Sequence, residues 1–269
     1  MTLAAALSYG FIQRALLAGL FISVLCAVLG LFLVLRRFSL IGDGLAHVTF
    51  GTVAVSLLLG LYPVYVSIPL VCLSSLGILR LTRNNRVYTD AAIGIVSSLG
   101  IASGIIIASI AGGFNIDLFS YLFGSILAIS NAEVVISIVL SVVVILAVSF
   151  FYYDLFSITF DENYAQVSGI RTGRINQILV ILTSLTVVLA MKVVGIMLVS
   201  SLLILPAVTA LQLARGFKST IITASLVAVF SLVLGVFVSL AVNIPTGATI
   251  VLVNFACFLT AVVIKKLFP

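Results

Sequence analysis

The sequence predicts an all-α polytopic membrane protein. Of its 269 residues, 63% are hydrophobic and only 7% are charged, and the mean hydropathy is +1.43. Soluble domains carry roughly 25% charged residues, and a soluble fold of this length could not keep so much apolar surface from water. Unbroken apolar runs such as 132–151 and 221–242 are typical of membrane helices and differ from the alternating strands of a barrel.

Nine apolar segments approach the roughly 20 residues that a helix needs to cross the hydrocarbon core. We therefore predict a single transmembrane domain over residues 1–269 with about nine helices, within a range of eight to ten. The first segment lacks a small-residue cleavage site, so we expect no removable signal peptide. The nine segments are 11–35, 41–61, 64–81, 91–111, 132–151, 175–191, 194–214, 221–242 and 247–264.

The basic residues predict the orientation of these helices. Of the 13 Lys and Arg residues, 11 fall in connections on one side, and only Arg14 and Lys192 fall on the other. By the positive-inside rule the first side is the cytoplasm. This puts the C-terminus in the cytoplasm and, with nine spans, the N-terminus outside. The 11 residues are Arg36, Arg37, Arg80, Arg83, Arg86, Arg171, Arg174, Arg215, Lys218, Lys265 and Lys266.

The excess of basic residues on the predicted cytoplasmic side explains the net charge of +6. The sequence has no basic patch interleaved with aromatic side chains on a polar face, so we expect no nucleic-acid partner.

Two connections are longer than the others. The external one, 112–131, contains an apolar run from Asp117 to Gly124, which we expect to form a short helix at the interface or re-entering the protein. The cytoplasmic one is 152–174. In it Asp161 can cap the start of a helix and Gly169 can end it in the left-handed conformation, so we predict about two turns of surface-lying helix.

Asp43 and His47 are the residues of this sequence that most clearly suggest a functional site. Their i to i+4 spacing puts them on one face of a helix, and ionisable groups at membrane depth usually mark a path or a site. A carboxylate and an imidazole suit divalent ions such as zinc, manganese or iron. One pair does not close a site, so two copies of the chain around one pore would have to bring two such pairs to one ion.

Each of these residues also has a purely structural interpretation. Asp43 lies between Gly42 and Gly44, as at the start of a helix, and its only role could be that of a cap. His47, the single histidine, could hydrogen-bond a neighbouring helix without contacting a transported ion. Spacing alone leaves these interpretations open. Elsewhere, the GxxxG spacing of Gly100 and Gly104 indicates close helix packing.

The sequence contains no GxxxxGK[ST] phosphate loop, no HExxH and no GxSxG. We therefore expect a non-catalytic chain, and any ATP hydrolysis would belong to another subunit.

Five segments, taken in order, resemble permeases of the zinc/manganese/iron class of bacterial ABC importers. The first, Gly42 to His47, resembles the GDxxxH signature of the second helix in that family, although Gly44 stands where many relatives have Ala. The third resembles a DLxxYLFGxIL stretch. The other segments resemble the start of the fourth span and two further family blocks. The five segments are 42–47, 90–96, 117–127, 190–206 and 245–250.

The resemblance implies a homodimer in the bilayer that works with a cytoplasmic ATPase dimer and an extracytoplasmic metal-binding protein. It implies that Asp43 and His47 are ligands of the transported ion, zinc or manganese or iron, and that no cofactor is bound permanently. It also implies that nine residues of the cytoplasmic connection dock on the ATPase and couple ATP binding to alternating access. They are Asp161, Glu162, Asn163, Tyr164, Ala165, Gln166, Val167, Ser168 and Gly169.

Two other functions compete with an importer. A secondary metal transporter driven by an ion gradient predicts inverted repeats and more intramembrane charge, and the sequence has no convincing internal repeat. A membrane-embedded metal hydrolase needs three or more protein ligands and a general base, which a chain with one histidine supplies poorly.

Overall fold

The computed structural model describes residues 9–82, 87–112, 116–124 and 129–267. All regular structure in these residues is helical. A 3₁₀ turn at Ile196–Leu198 precedes the tenth helix. In chain order the helices are α1 (Gly10–Leu35), α2 (Ile41–Leu58), α3 (Pro63–Thr82), α4 (Thr89–Ile110), α5 (Ile116–Phe123), α6 (Asn131–Phe150), α7 (Tyr152–Phe160), α8 (Glu162–Val167), α9 (Thr172–Val193), α10 (Val199–Leu213), α11 (Phe217–Val242) and α12 (Thr246–Leu267).

Within the described residues, eight helices are long and apolar enough to cross a membrane, namely α1 to α4, α6, α9, α11 and α12. They coincide with eight of the nine predicted segments to within a few residues, which confirms the all-α polytopic prediction. Three of them form the interior of the bundle. In α1, α2 and α9, 67, 72 and 67% of a membrane-length window is buried, against 33% or less in the other five.

The predicted seventh segment, 194–214, differs from the expected continuous helix. Gly195 has a φ of +91°, and the 3₁₀ turn follows it. The remaining helix α10 has 15 residues, or about 22 Å at 1.5 Å per residue, which is less than the ~30 Å of the hydrocarbon core. A close backbone contact accompanies the break, because a Cβ on Gly195 would lie only 2.5 Å from the Leu122 carbonyl oxygen.

The short helix predicted in the external connection is present as α5. It packs against the protein, because Tyr121 and Leu122 near its end are buried. The start of α12 also meets α5 closely, since a Cβ on Gly247 would lie 2.9 Å from the Phe123 carbonyl oxygen. The end of α5 is thus enclosed between the break at Gly195 and the start of α12.

The GxxxG spacing in α4 is a close helix contact, as predicted, and its partner is α2. A Cβ on Gly100 would lie 2.7 Å from Val48 Cα, and one on Gly104 would lie 2.5 Å from the Phe50 ring. At Gly100 a larger side chain would need a shift of the α2 backbone, and at Gly104 it would need a movement of the Phe50 ring. The two glycines therefore let the backbones of α2 and α4 approach closely.

Side-chain contacts group the connections as the charge pattern predicts. Arg36, after α1, contacts Asn176 at the start of α9. At the opposite end of α1, Arg14 donates to Asn131 Oδ1 over 3.4 Å. The first contact joins two segments that the charge pattern assigns to the cytoplasm. The second joins two that it assigns to the outside. Arg83 and Arg86 lie outside the described residues.

Candidate functional site

Asp43 lies in the first turn of α2 but does not cap it. The residue in the cap position is Leu40, and no side chain makes the capping hydrogen bond there. The carboxylate instead reaches another helix, because Asp43 Oδ1 accepts a hydrogen bond of 3.0 Å from Ser200 Oγ. Its side chain is 51% exposed. The geometry thus gives no support to an interpretation of Asp43 as only a cap.

His47 lies one turn further along the same face, as the spacing predicts. Its Nε2 atom is 3.5 Å from Asp43 Oδ2, and its side chain is 21% exposed. Its Nδ1 atom is buried and has no hydrogen-bond partner among the residues that the structure describes. A hydrogen bond from His47 to a neighbouring helix therefore has no support in this part of the chain.

The spacing of the two ligand atoms fits a shared divalent ion. Zinc binds carboxylate oxygen and imidazole nitrogen at about 2.0–2.2 Å, so two ligands in a tetrahedral arrangement lie roughly 3.4 Å apart. The observed separation of Asp43 Oδ2 and His47 Nε2 is 3.5 Å. An ion between them would contact both atoms with little movement of either side chain.

One chain does not complete such a site. Over the described ranges, no group of three or more His, Cys, Asp or Glu side chains could hold a metal ion. Histidine ligands usually donate their second N–H to a partner that fixes the ring, and loss of that partner weakens metal binding about 10–100-fold. Because His47 Nδ1 has no such partner among the described residues, the pair suits an ion that binds briefly and leaves.

Two further residues contact the pair, and the sequence alone did not indicate these contacts. Ser200 is in the first turn of α10, 157 residues from Asp43 along the chain. Only the folded bundle brings its hydroxyl to the Asp43 carboxylate. Gly100 of α4 lies behind His47, because a Cβ at this position would be 2.8 Å from the His47 carbonyl oxygen. The GxxxG spacing predicts Gly100 as a packing residue. Its position behind His47 depends on the register of α2 against α4, which the spacing does not give.

The predicted cytoplasmic helix is present as α8. Asp161 Oδ1 accepts a hydrogen bond of 2.9 Å from the backbone N–H of Tyr164, which is the predicted cap. Gly169 follows the helix with a φ of +88°, as predicted for the left-handed position. In the segment Asp161–Gly169 only Ala165 is buried, while Tyr164 is 70% exposed and Val167 88% exposed. The segment thus presents apolar side chains on its outer surface.

Glu162 of the same segment contacts the bundle, although its side chain is 45% exposed. Its carboxylate pairs with Arg36 at 2.7 Å and accepts a hydrogen bond of 2.9 Å from Asn176. The Arg36 side chain is only 4% exposed. Burial lowers the pKa of Arg36, and the Glu162 carboxylate opposes that shift. Sequence reasoning assigned Glu162 to docking, but no local pattern indicates a partner in α1.

The chain is similar to known proteins along almost its whole length. A manganese import system permease protein, ScaB, of Streptococcus gordonii is 36% identical over 253 residues, which are 94% of this chain and 91% of the relative. The manganese transport system membrane protein MntC of Halalkalibacterium halodurans is 33% identical over 255 residues, 95% of this chain and 87% of the relative. The solved structure of PsaBC from Streptococcus pneumoniae in complex with Fab includes a similar chain. The two chains share 32% identity with a TM-score of 0.87, over 96% of this chain and 93% of that one.

A model of a protein family supports the same relationship. The model of the ABC 3 transport family matches residues 8–265, a range that includes the Asp43–His47 pair and the segment Asp161–Gly169. The chain belongs to the ABC 3 transport family.

Proposed function

We propose that this chain is the membrane-spanning subunit of an ATP-driven importer of a divalent transition-metal ion. The observation that carries the proposal is the Asp43–His47 pair, with its ligand atoms 3.5 Å apart on the most buried span of the bundle. Ionisable side chains in such a position are costly, and they usually mark a transport path. The family of the chain supports the same function.

Manganese is the proposed cargo, and zinc is its competitor. Oxygen and nitrogen ligands suit both ions. Two relatives with more than 90% of this chain aligned carry manganese in their names, and this favours manganese. The ion is substrate here, so the Asp43–His47 pair would hold it only in passing.

The proposed assembly is a homodimer. Each chain offers one carboxylate and one imidazole, and four ligands of these types from two chains would suit a divalent ion. A dimer around a shared pore would also leave Asp43, which is half exposed in one chain, facing its counterpart. An extracytoplasmic metal-binding protein would deliver the ion to the outer face.

ATP hydrolysis is proposed to belong to a separate cytoplasmic subunit. The sequence lacks a phosphate-binding loop, and the exposed Tyr164 and Val167 of the segment Asp161–Gly169 offer a surface for that subunit. Movement of this segment on ATP binding would rock the two halves of the dimer. The Asp43–His47 pair would then open alternately to the outside and to the cytoplasm, which we propose is the side with the C-terminus.

Uptake into sealed vesicles tests the proposal. The permease is reconstituted with its cognate ATPase, the binding protein is loaded with manganese and added on one side, and ATP is enclosed on the other. We expect uptake that needs both ATP and the binding protein, and that persists when ionophores dissipate proton and sodium gradients. Uptake that needs a gradient but no ATP would instead establish a secondary transporter.

Zinc offered in the same vesicles tests the cargo. We expect manganese to be transported and zinc to be transported less or to compete. Transport of zinc alone would contradict the proposed cargo and leave the importer mechanism in place.

A further inference from the structure

We propose that Glu162, Arg36 and Asn176 form the mechanical link between α8 and the start of α2, where Asp43 lies. This link presupposes the proposed function, because it assigns to the three side chains a role in coupling ATP binding to transport. They are positioning residues, since none of them contacts the ion path directly.

The three side chains close a ring across three segments of the chain. Glu162 Oε2 accepts from Arg36 Nη2 at 2.7 Å, and Glu162 Oε1 accepts from Asn176 Nδ2 at 2.9 Å. Arg36 Nη1 also donates to Asn176 Oδ1. Each member therefore contacts both of the others. The ring joins the end of α1, the first residue of α8 and the start of α9.

This ring is the main polar attachment of α8 to the bundle within the described residues. The helix is six residues long and buries only Ala165. Arg36 is held firmly, because its side chain is 4% exposed and its guanidinium carbon lies 5.3 Å from the centre of the Phe38 ring. A buried guanidinium that loses its carboxylate is strongly unfavourable. A displacement of Glu162 should therefore move Arg36 with it.

A hydrogen-bonded corner leads from Arg36 to Asp43. Arg36 ends α1, and Arg37 makes the turn with a φ of +59°. The backbone N–H of Phe38 donates to the Leu33 carbonyl at 2.8 Å, and that of Ile41 donates to the Phe38 carbonyl at 3.0 Å. Ile41 begins α2, and Asp43 lies in its first turn. Only residues 37–40 separate Arg36 from α2, so the corner is short and a displacement at Arg36 should carry over to the start of α2.

A purely stabilising ring and a coupling ring predict different measurements. If the ring only stabilises the fold, its loss lowers assembly, ATP hydrolysis and uptake together. If the ring transmits movement, its loss leaves assembly and hydrolysis in place and lowers the number of metal ions moved per ATP. The ratio of uptake to hydrolysis separates these roles.

The experiment measures this ratio in vesicles that contain the whole complex, with manganese-loaded binding protein. Glu162→Gln keeps the size of the side chain and removes its charge. Arg36→Lys keeps the charge but removes the two-pronged donor. Arg215→Lys makes the same chemical change on an exposed side chain between α10 and α11, outside the ring and the corner, and serves as the matched control. We expect the ratio to fall about fivefold or more in both ring variants, the lower end of typical coupling between sites, and to stay at the wild-type value in Arg215→Lys.

An unchanged ratio in Glu162→Gln would overturn the link, as would an equal fall in Arg215→Lys. Should the Glu162→Gln complex fail to assemble, Asn176→Ala keeps the ion pair and opens the ring, and a wild-type ratio in that variant would overturn the link. A wild-type complex that moves no metal would remove the proposed function and the link together. Normal wild-type uptake with unaffected ring variants would remove the link alone.

Discussion

At the scale of single residues, Asp43, His47 and Ser200 form a small polar cluster near the starts of α2 and α10. Asp43 lies in the first turn of α2 and Ser200 in the first turn of α10. Negative groups are favoured near the N-termini of helices, so both helix starts suit the carboxylate. The sequence predicts Asp43 and His47 because their relation is local, one helical turn apart. Ser200 is 157 residues away from Asp43, and no local pattern assigns it to them.

Replacement of Ser200 tests whether this hydroxyl positions the carboxylate. Ser200→Ala removes the 3.0 Å hydrogen bond to Asp43 Oδ1. Hydrogen bonds to charged groups contribute about 1.5–3 kcal/mol, so the apparent affinity of the complex for the delivered ion should fall by about tenfold or more. The measurement is the concentration dependence of manganese uptake into vesicles.

The adjacent Ser201 provides the control for that variant. Its side chain makes no hydrogen bond within the described residues, and it lies one position further along α10. Ser201→Ala should leave uptake unchanged. Equal effects of the two variants would mean that α10 tolerates any change there poorly and that Ser200 has no particular role.

At the scale of helices, the contact between α2 and α4 positions the proposed ion ligands. Gly100 and Gly104 let α4 approach α2 at the turn that contains His47. The sequence predicts this contact because the GxxxG spacing repeats on one face of a helix. It does not predict which helix is the partner, since this depends on the assembled bundle.

Gly100→Ala should therefore destabilise the protein. Its new Cβ would lie 2.7 Å from Val48 Cα, which is backbone and cannot rotate away. Overpacking of this kind typically costs about 1–3 kcal/mol. Gly77→Ala in α3 is the matched control, because a Cβ there would meet nothing within 4 Å. Thermal unfolding in detergent should show a lower midpoint for Gly100→Ala than for Gly77→Ala, and equal midpoints would contradict the close contact.

Hydropathy predicts a helix more reliably than it predicts where a helix breaks. Eight spans follow from length and apolar composition, because lipid leaves the backbone few alternatives to a helix. The segment 194–214 is equally apolar, yet Gly195 leaves the helix and α10 is shorter than a full span. The reason is non-local, since the backbone of α5 occupies the space beside Gly195. The sequence shows the glycine at position 195, but its contact with α5 appears only in the folded chain.

At the scale of the whole molecule, the chain separates the proposed ion path from the proposed docking surface. The Asp43–His47 pair lies on the most buried span, and the segment Asp161–Gly169 lies at the surface. The charge pattern predicts the end of the bundle that holds this segment, and the contact of Glu162 with Arg36 agrees with it. The ring through Asn176 could not be predicted, because its members come from three distant segments.

Val167→Asp tests the docking surface. Val167 is 88% exposed on the outer side of the segment. A charge at the centre of an apolar interface remains unpaired, so the affinity for the ATPase should fall by about tenfold or more. The measurement is co-purification of the ATPase with the permease at decreasing concentrations.

Tyr88→Asp gives the comparison for that variant. Tyr88 is 90% exposed before α4, on the same predicted side of the membrane but outside the segment. Its replacement should leave co-purification unchanged. Loss of the ATPase from both variants, or from neither, would contradict a docking role confined to residues 161–169.

The central claim is that Asp43 and His47 are ligands on the path of the ion. Manganese uptake by the reconstituted complex, measured with ATP hydrolysis in parallel, tests it in Asp43→Ala and His47→Ala, with Asp90→Ala as the control for loss of an exposed acid. We expect uptake to fall at least about tenfold in the two ligand variants, since even loss of an outer partner of a metal ligand has an effect of that size. Assembly and hydrolysis should persist, and Asp90→Ala should transport normally. Wild-type uptake in both ligand variants would contradict the claim and would leave Asp43 and His47 with a structural role only.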